Sequence, residues 1–162
     1  MGELIRQVLV DLMKDDLIFF GCEREKLLER GTFVTRYASE IESDPVGQYS
    51  RAKACLAELG IEPDTVTDED CSALRYICEV VSRRASFMAS AGITALLKKM
   101  DYKDVVIAID GSLFRYHPHF KNIMQSRISQ LMGIDYKFDL MLSEDGSGRG
   151  AALVAAVLKR GD

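Results

Sequence analysis

No stretch of this sequence is apolar for long enough to cross a bilayer. The longest apolar runs, Val105 to Ile109 and Ala151 to Leu158, fall well short of the roughly 20 residues that a spanning helix needs. Basic residues are in no excess either. The 21 Lys and Arg are outnumbered by 25 Asp and Glu, and the resulting net charge of −4 argues against a nucleic-acid partner, whose phosphates must be neutralised by cations. Paired cysteines are missing as well. Cys22, Cys55, Cys71 and Cys78 include no Cys-x-x-Cys and no zinc-finger spacing, so reduced thiols and a cytoplasmic location are expected, with no metal site. Cys71 and Cys78 lie seven apart on one face of a predicted helix, the ordinary place of a small buried side chain. The first residues show no basic segment, apolar segment and cleavage site in succession, so no secretory signal is predicted. Gly2 follows Met1, but Arg6 stands where a myristoylation pattern carries Ser or Thr.

What is present suits one packed domain. The chain has 162 residues, 48% of them hydrophobic and 28% charged, which is enough apolar material for a core and too much for disorder. Leu4, Ile5, Val8, Leu9, Leu12 and Met13 recur at helical spacing and predict an amphipathic helix over 3–14. It starts at the first residues with nothing before it to cap its amides. Arg24 to Glu29 reads as a short charged helix, Arg30 to Thr35 as a turn into an extended piece, Tyr37 to Glu42 as a short helix, and Ser43-Asp44-Pro45 as a turn. A helix over 48–59 stops at Gly60. Thr67, followed by Asp68, Glu69 and Asp70, opens a long helix to Met100 carrying a stripe of small residues, Ala85, Ala89, Gly92 and Ala95. The last third alternates: a buried strand over 105–109, a helix from Pro118 to Gly133, a strand over 137–142 ending at Ser143-Glu144-Asp145, and a final helix opened by Gly146, Gly148 and Gly150. Strand, helix, strand, helix predicts an α/β layer.

Ligands of α/β sheets bind beyond the carboxyl ends of strands. At the first such end, Asp110-Gly111-Ser112 is either a loop whose hydroxyl and amides hold ribose or phosphate, or a plain turn with Asp in its usual place. At the second, the Gly146 to Gly150 run with Ser147 and Arg149 is either an anion site on a helix N-terminus or a structural cap. It lacks the Lys-Ser/Thr of a Walker loop. His117 and His119 have no further ligands at metal-binding spacing and read as polar residues at a helix start. Asp101 and Asp104 read as a solvated loop, and Arg83-Arg84 as surface charge and packing.

Four segments taken together, RGTFVTRYASEIESD (30–44), VVSRRASFMASAG (80–92), IDGSLFRYHPHF (109–120) and LSEDGSGRGAALVAAV (142–157), resemble in order and separation the C-terminal part of the large domain of eukaryotic hexokinases and glucokinases. The resemblance covers essentially residues 1–162. It implies the actin-like, ribonuclease-H-like ATPase fold, here a helix-rich part with a short sheet, and transfer of phosphate from ATP, carried with Mg²⁺, to the 6-hydroxyl of glucose or a related hexose. Residue by residue, Thr35, Arg36, Tyr37, Ala38 and Ser39 match an ATP-contacting segment, and Asp110, Gly111, Ser112, Leu113, Phe114, Arg115 and Tyr116 match the adenosine motif. Asp110 to Ser112 and Ser147 also match positions that hold glucose 6-phosphate in product-inhibited relatives. Tyr116 replaces the usual Leu, and one extra residue falls between Met132 and Leu142.

The family's catalytic Asp, its sugar-holding residues and its two phosphate loops have no counterpart among these motifs. The resemblance therefore implies a fragment or partial gene model of a larger kinase, without a catalytic residue of its own. Apolar faces that have lost their partners would favour self-association. Two other readings stand beside it: a noncatalytic module sensing nucleotide or hexose phosphate, and a mainly helical interaction module.

Overall fold

The computed structural model describes residues 1–143 and 146–159, apart from the side chain of Ser147. Glu144 and Asp145, expected in the turn after the second strand, lie outside the described residues. The first half is helical. Helix α1 spans Gly2–Lys14, α2 Glu25–Leu28, α3 Thr35–Glu42 and α4 Ser50–Glu58, and a 3-10 turn over Pro63–Thr65 leads into α5, Asp68–Met100. The remainder runs β1 Asp104–Ile109, α6 Ser112–Tyr116, α7 Phe120–Met132, β2 Lys137–Leu142 and α8 Gly146–Lys159.

Capping accounts for where several of these helices start and stop. Thr67 Oγ1 accepts the Asp70 amide at 3.1 Å while the Asp70 carboxylate accepts the Thr67 amide at 3.2 Å, a reciprocal capping box that starts α5. Helix α4 has no capping side chain at Tyr49. Asp44 does that work from a distance. Its buried carboxylate accepts the Ser50 hydroxyl at 3.2 Å and the amides of Arg51 and Ala52 at 2.9 and 3.1 Å. Gly60 and Gly133, the predicted helix-ending glycines, have φ of +80° and +78°, a region closed to most side chains.

Two hydrophobic cores share the long helix α5, which at 33 residues is about 50 Å long. The first gathers Ile5, Leu9, Phe33, Ile41, Leu56 and Leu74 from α1, α3, α4 and the start of α5. The second gathers Leu97, Phe114, Phe120, Met124, Ile128 and Leu140 from the end of α5, α6, α7 and β2. Between them α5 buries Ser82, Ser86, Ser90 and Thr94. Helix α5 packs against α7 over its second half, and Ser82 at the head of this row reaches Glu42 of α3. The predicted small-residue stripe is only half right, since Ala85 and Ala89 are partly buried whereas Gly92 and Ala95 face solvent.

The strands β1 and β2 pair in parallel, in register from Asp104 with Lys137 to Ile109 with Leu142. Their pairing in one sheet counts against the mainly helical interaction module. The expected buried strand is half-buried instead: Val105, Ile107 and Ile109 pack on the second core while Val106 is 64% exposed. Among the described elements this two-stranded sheet is packed on one face only, so the apolar run alternates in burial. The piece over 30–35 is, as read, a turn at Arg30 and Gly31 leading to extended backbone at Val34, without a strand partner. Phe33 is driven into the first core, and the backbone of 33–35 lies against Gly2 so closely that a Cβ on that glycine would fall 2.1 Å from the Phe33 carbonyl oxygen. A helix packed there replaces a strand partner, and α3 begins at Thr35, two residues before the predicted start.

All four cysteines are unpaired, and Cys55, Cys71 and Cys78 are buried. Burial, helped by Glu40, pushes the Cys55 thiol up to about 12, and burial pushes Cys71 to about 11 and Cys78 well above its ordinary value. A disulfide reagent at neutral pH is therefore expected to label Cys22 quickly and the other three only after denaturation. Two or more fast thiols in the native protein would contradict this packing.

Candidate functional site

Helix α3 is two-faced. Tyr37, Ala38, Ile41 and Glu42 are buried, while Thr35, Arg36, Ser39, Glu40 and Ser43 lie along the opposite side, the spacing a 3.6-residue period dictates. That polar side forms one wall of a cleft of about 450 Å³. Arg51 enters from α4, and Ser112, Leu113 and Tyr116 of α6 form the facing wall. The two segments are more than 70 residues apart in the chain, yet they meet across one cavity. A larger groove of about 560 Å³ lies between α5 and α7, with Arg83, Phe87, His119 and Arg127 among its lining, and takes in neither segment apart from the buried Glu42.

Charge inside the cleft is arranged by α3 and α4. The Arg36 guanidinium lies 3.3 Å from Glu40 and 2.8 Å from Glu58, and these carboxylates raise its already high pKa. Glu58 Oε2 also accepts the Tyr37 hydroxyl at 2.8 Å, and burial followed by Glu58 raises the phenol's pKa. Thr35 Oγ1 accepts the Gly2 amide at 3.2 Å, which ties the first turn of α3 to α1. Four aliphatic hydroxyls, two guanidinium groups, the Glu40 carboxylate paired with Arg36, and the surface of Leu113 and Tyr116 suit a ligand with a flat heteroaromatic part and an anionic part, and the volume is in the range of small-molecule sites.

Each candidate residue has a definite place. Thr35, Arg36, Ser39, Ser112, Leu113 and Tyr116 line the cleft. Tyr37 and Ala38 are buried in the first core and Phe114 in the second, so they shape the walls from behind. The Arg115 guanidinium is exposed and sits 5.8 Å from the Tyr116 ring centre. Asp110 and Gly111 line an adjoining hollow of about 290 Å³ that Ser112 and Leu113 share. Gly146 comes close to this hollow: a Cβ there would fall 2.5 Å from Ser143 Oγ and 3.9 Å from Asp110 Oδ2. The two predicted strand-end loops are thus brought side by side by the parallel pairing of β1 and β2. The side chain of Ser147 lies outside the described residues.

Sequence reasoning missed several lining residues. Ser43 falls four positions after Ser39 and Glu40 four after Arg36, so helical periodicity already placed them on the same face as those residues. Arg51 has no such signal. Nor did any spacing announce that Glu42, Ser82 and His117 form a buried hydrogen-bonded cluster. His117 is a core residue of the protein, whereas His119 is exposed beside the larger groove.

No group of three or more His, Cys, Asp or Glu side chains converges as a metal site among the described residues.

The hexokinase family model matches residues 1–157. The chain is 40% identical over 167 aligned positions to hexokinase HKDC1 of Homo sapiens, covering 99% of this chain and 18% of that protein. It is 38% identical to the hexokinase of Brugia malayi, covering 99% of this chain and 28% of that one. The solved hexokinase of Schistosoma mansoni complexed with glucose superposes with a TM-score of 0.87 at 36% identity, over 96% of this chain and 35% of that structure. The chain thus spans between about a fifth and about a third of the length of these relatives. The matched family model, the identities and the shared fold together place this chain in the hexokinase family.

Proposed function

We propose that this chain is the nucleotide side of an ATP:hexose 6-phosphotransferase, with the adenosine end of ATP seated between α3 and α6. The observation that carries this is the convergence of Thr35, Arg36 and Ser39 with Ser112, Leu113 and Tyr116 on one cleft. Leu113 and Tyr116 supply the flat apolar contact for adenine, the hydroxyls of Ser39 and Ser112 supply polar contacts for ribose, and Arg36 and Arg51 offset phosphate charge. The acceptor is glucose or a related hexose, as in the glucose-bound Schistosoma mansoni relative.

In the reaction a hexose 6-hydroxyl oxygen bonds to the γ-phosphorus, the bond to the bridging oxygen breaks, ADP leaves, and a base takes the hydroxyl proton. Such a transfer rests on positioning and charge stabilisation, which need a base and donors to the β and γ phosphates. None of the cleft residues is assigned those roles, so these 162 residues are expected to bind nucleotide without turning it over.

Calorimetric titration of the chain with ATP tests this. One ATP per chain is expected, with Ser112→Ala weakening it by about threefold to tenfold, the worth of one hydrogen bond. No turnover is expected with ATP, Mg²⁺ and glucose. Absence of ATP binding, or robust turnover by the chain alone, would overturn the proposal. A second ligand is favoured by the hollow at Asp110, Gly111 and Ser112, beside the close approach of Gly146. Glucose 6-phosphate, as product or as the signal of a noncatalytic sensing module, would place its phosphate or sugar there. Titration with glucose 6-phosphate in place of ATP separates the two sites.

A further inference from the structure

Helix α6 has only five residues, too few to persist without tertiary support, and the amides of Arg115 and His117 make its i→i+4 bonds, to Gly111 and Leu113. Two anchors hold it. Phe114 is buried in the second core, and His117, the residue just after the helix, is buried beside Glu42 and Ser82. The backbone amide of His119 donates to His117 Nδ1 at 3.2 Å, which leaves the ring proton on Nε2. From there it faces Glu42 Oε1 at 3.2 Å and Ser82 Oγ at 3.1 Å, while the Ser82 hydroxyl donates to the same carboxylate oxygen at 2.5 Å.

Glu42 is an expensive residue in this place. It is a 98%-buried acid in the last turn of α3, where the helix dipole is negative. With the Ser82 hydroxyl and the imidazole both turned toward it, it ties the end of one cleft wall, α3, to the end of the other, α6, across the middle of α5. Pulling the cluster apart would strand a buried carboxylate, so the cost of breaking it is large and the spacing it sets is narrow.

We propose that Glu42, Ser82 and His117 are positioning residues that set the gap between α3 and α6, and through it the affinity of the cleft for nucleotide, without touching the ligand. The proposal rests on the nucleotide reading above. Its test is therefore read in two ways on the 162-residue chain: ATP titration, and hydrogen exchange at the Arg115 amide, which reports on α6 directly. His117→Phe keeps a ring and loses the donor. It is expected to weaken ATP binding at least tenfold and to speed Arg115 exchange by about the same factor, whereas His117→Gln, which restores an N–H near the Nε2 position, should stay within about threefold of wild type in both. Met132→Ala, which cuts a 7%-exposed side chain at the end of α7 away from α6, is the control: it should lower the unfolding midpoint and leave ATP affinity within about threefold of wild type. Ser82→Ala deletes one hydroxyl from the cluster, should weaken ATP by about threefold, and carries the test if His117→Phe does not fold. Wild-type affinity and exchange in His117→Phe, or equal weakening by Met132→Ala, would overturn the positioning role. A wild-type chain that binds no ATP would overturn the nucleotide reading and the affinity claim, while the exchange measurement still decides whether the cluster anchors α6.

Discussion

Alanine at position 33 is expected to cost this protein about 3–5 kcal/mol, the usual range for emptying the site of a buried aromatic side chain. Phe33 is 1% exposed, and its ring meets Tyr37 edge-on with centroids 5.4 Å apart. It sits just before α3, where the backbone is pressed against Gly2, so the surroundings cannot easily close over the cavity. Against a total stability of about 5–15 kcal/mol for a domain, this is enough to populate unfolded chain near room temperature. Urea unfolding checks it, with Val34→Ala, at a 42%-exposed neighbour, expected within about 0.5 kcal/mol of wild type. A Phe33→Ala midpoint close to that of Val34→Ala would mean that the ring does not anchor the first core. Because α3 carries one wall of the cleft, ATP affinity should fall with it.

Asp44→Ala is the second large effect, at about 3 kcal/mol. The substitution removes a buried carboxylate that accepts hydrogen bonds from Ser50, Arg51 and Ala52, and it leaves two amides at the start of α4 without a partner. A helix cap alone is worth about 0.5–2 kcal/mol, and hydrogen bonds to a charged acceptor about 1.5–3, so the sum exceeds an ordinary surface change several times over. Asp44→Asn keeps one acceptor oxygen in place and should recover about half of the loss. Chemical denaturation of the three proteins decides it, and a loss below about 0.5 kcal/mol for Asp44→Ala would show that water replaces the carboxylate at the helix start. Arg51 gives the variant a functional reading as well, since its guanidinium lines the cleft from the first turn of α4.

The residues that proved legible share one property: their signal is local. The β-branched run over 105–109 announced a strand that does form, and Thr67 with the acids behind it announced the capping box of α5. Gly60 and Gly133 marked helix ends because a positive φ is a local demand. Where the outcome depended on a distant neighbour, local reading was incomplete. The turn into an extended piece over 30–35 forms, but that its backbone is pressed against Gly2 of α1 had no local signal. The turn at Ser43-Asp44-Pro45 forms as well, but nothing near it announced that the Asp44 carboxylate caps a helix starting six residues later. Helix α6 was invisible because five residues carry no periodicity, and tertiary anchors make it a helix.

The candidate site divides in the same way. Motif order was enough to single out the segments at 35–39 and 110–116 and to suggest nucleotide chemistry, because those resemblances are written in contiguous residues. Which of their side chains face the cleft was decided by the packing that turns Tyr37, Ala38 and Phe114 inward and leaves Thr35, Arg36, Ser39, Ser112, Leu113 and Tyr116 on its walls. The Glu42–Ser82–His117 cluster shows the limit most clearly, since its members are separated by 40 and 35 residues. By itself the sequence determined the longer helices, the two strands and the two segments at 35–39 and 110–116, because propensity, capping and apolar period act over a few residues, whereas the short α6 escaped it. Only the tertiary structure decided that these segments face each other and what holds them apart, because the packing of α3 on α5 and of α6 on α7 is a property of contacts between residues far apart in the chain.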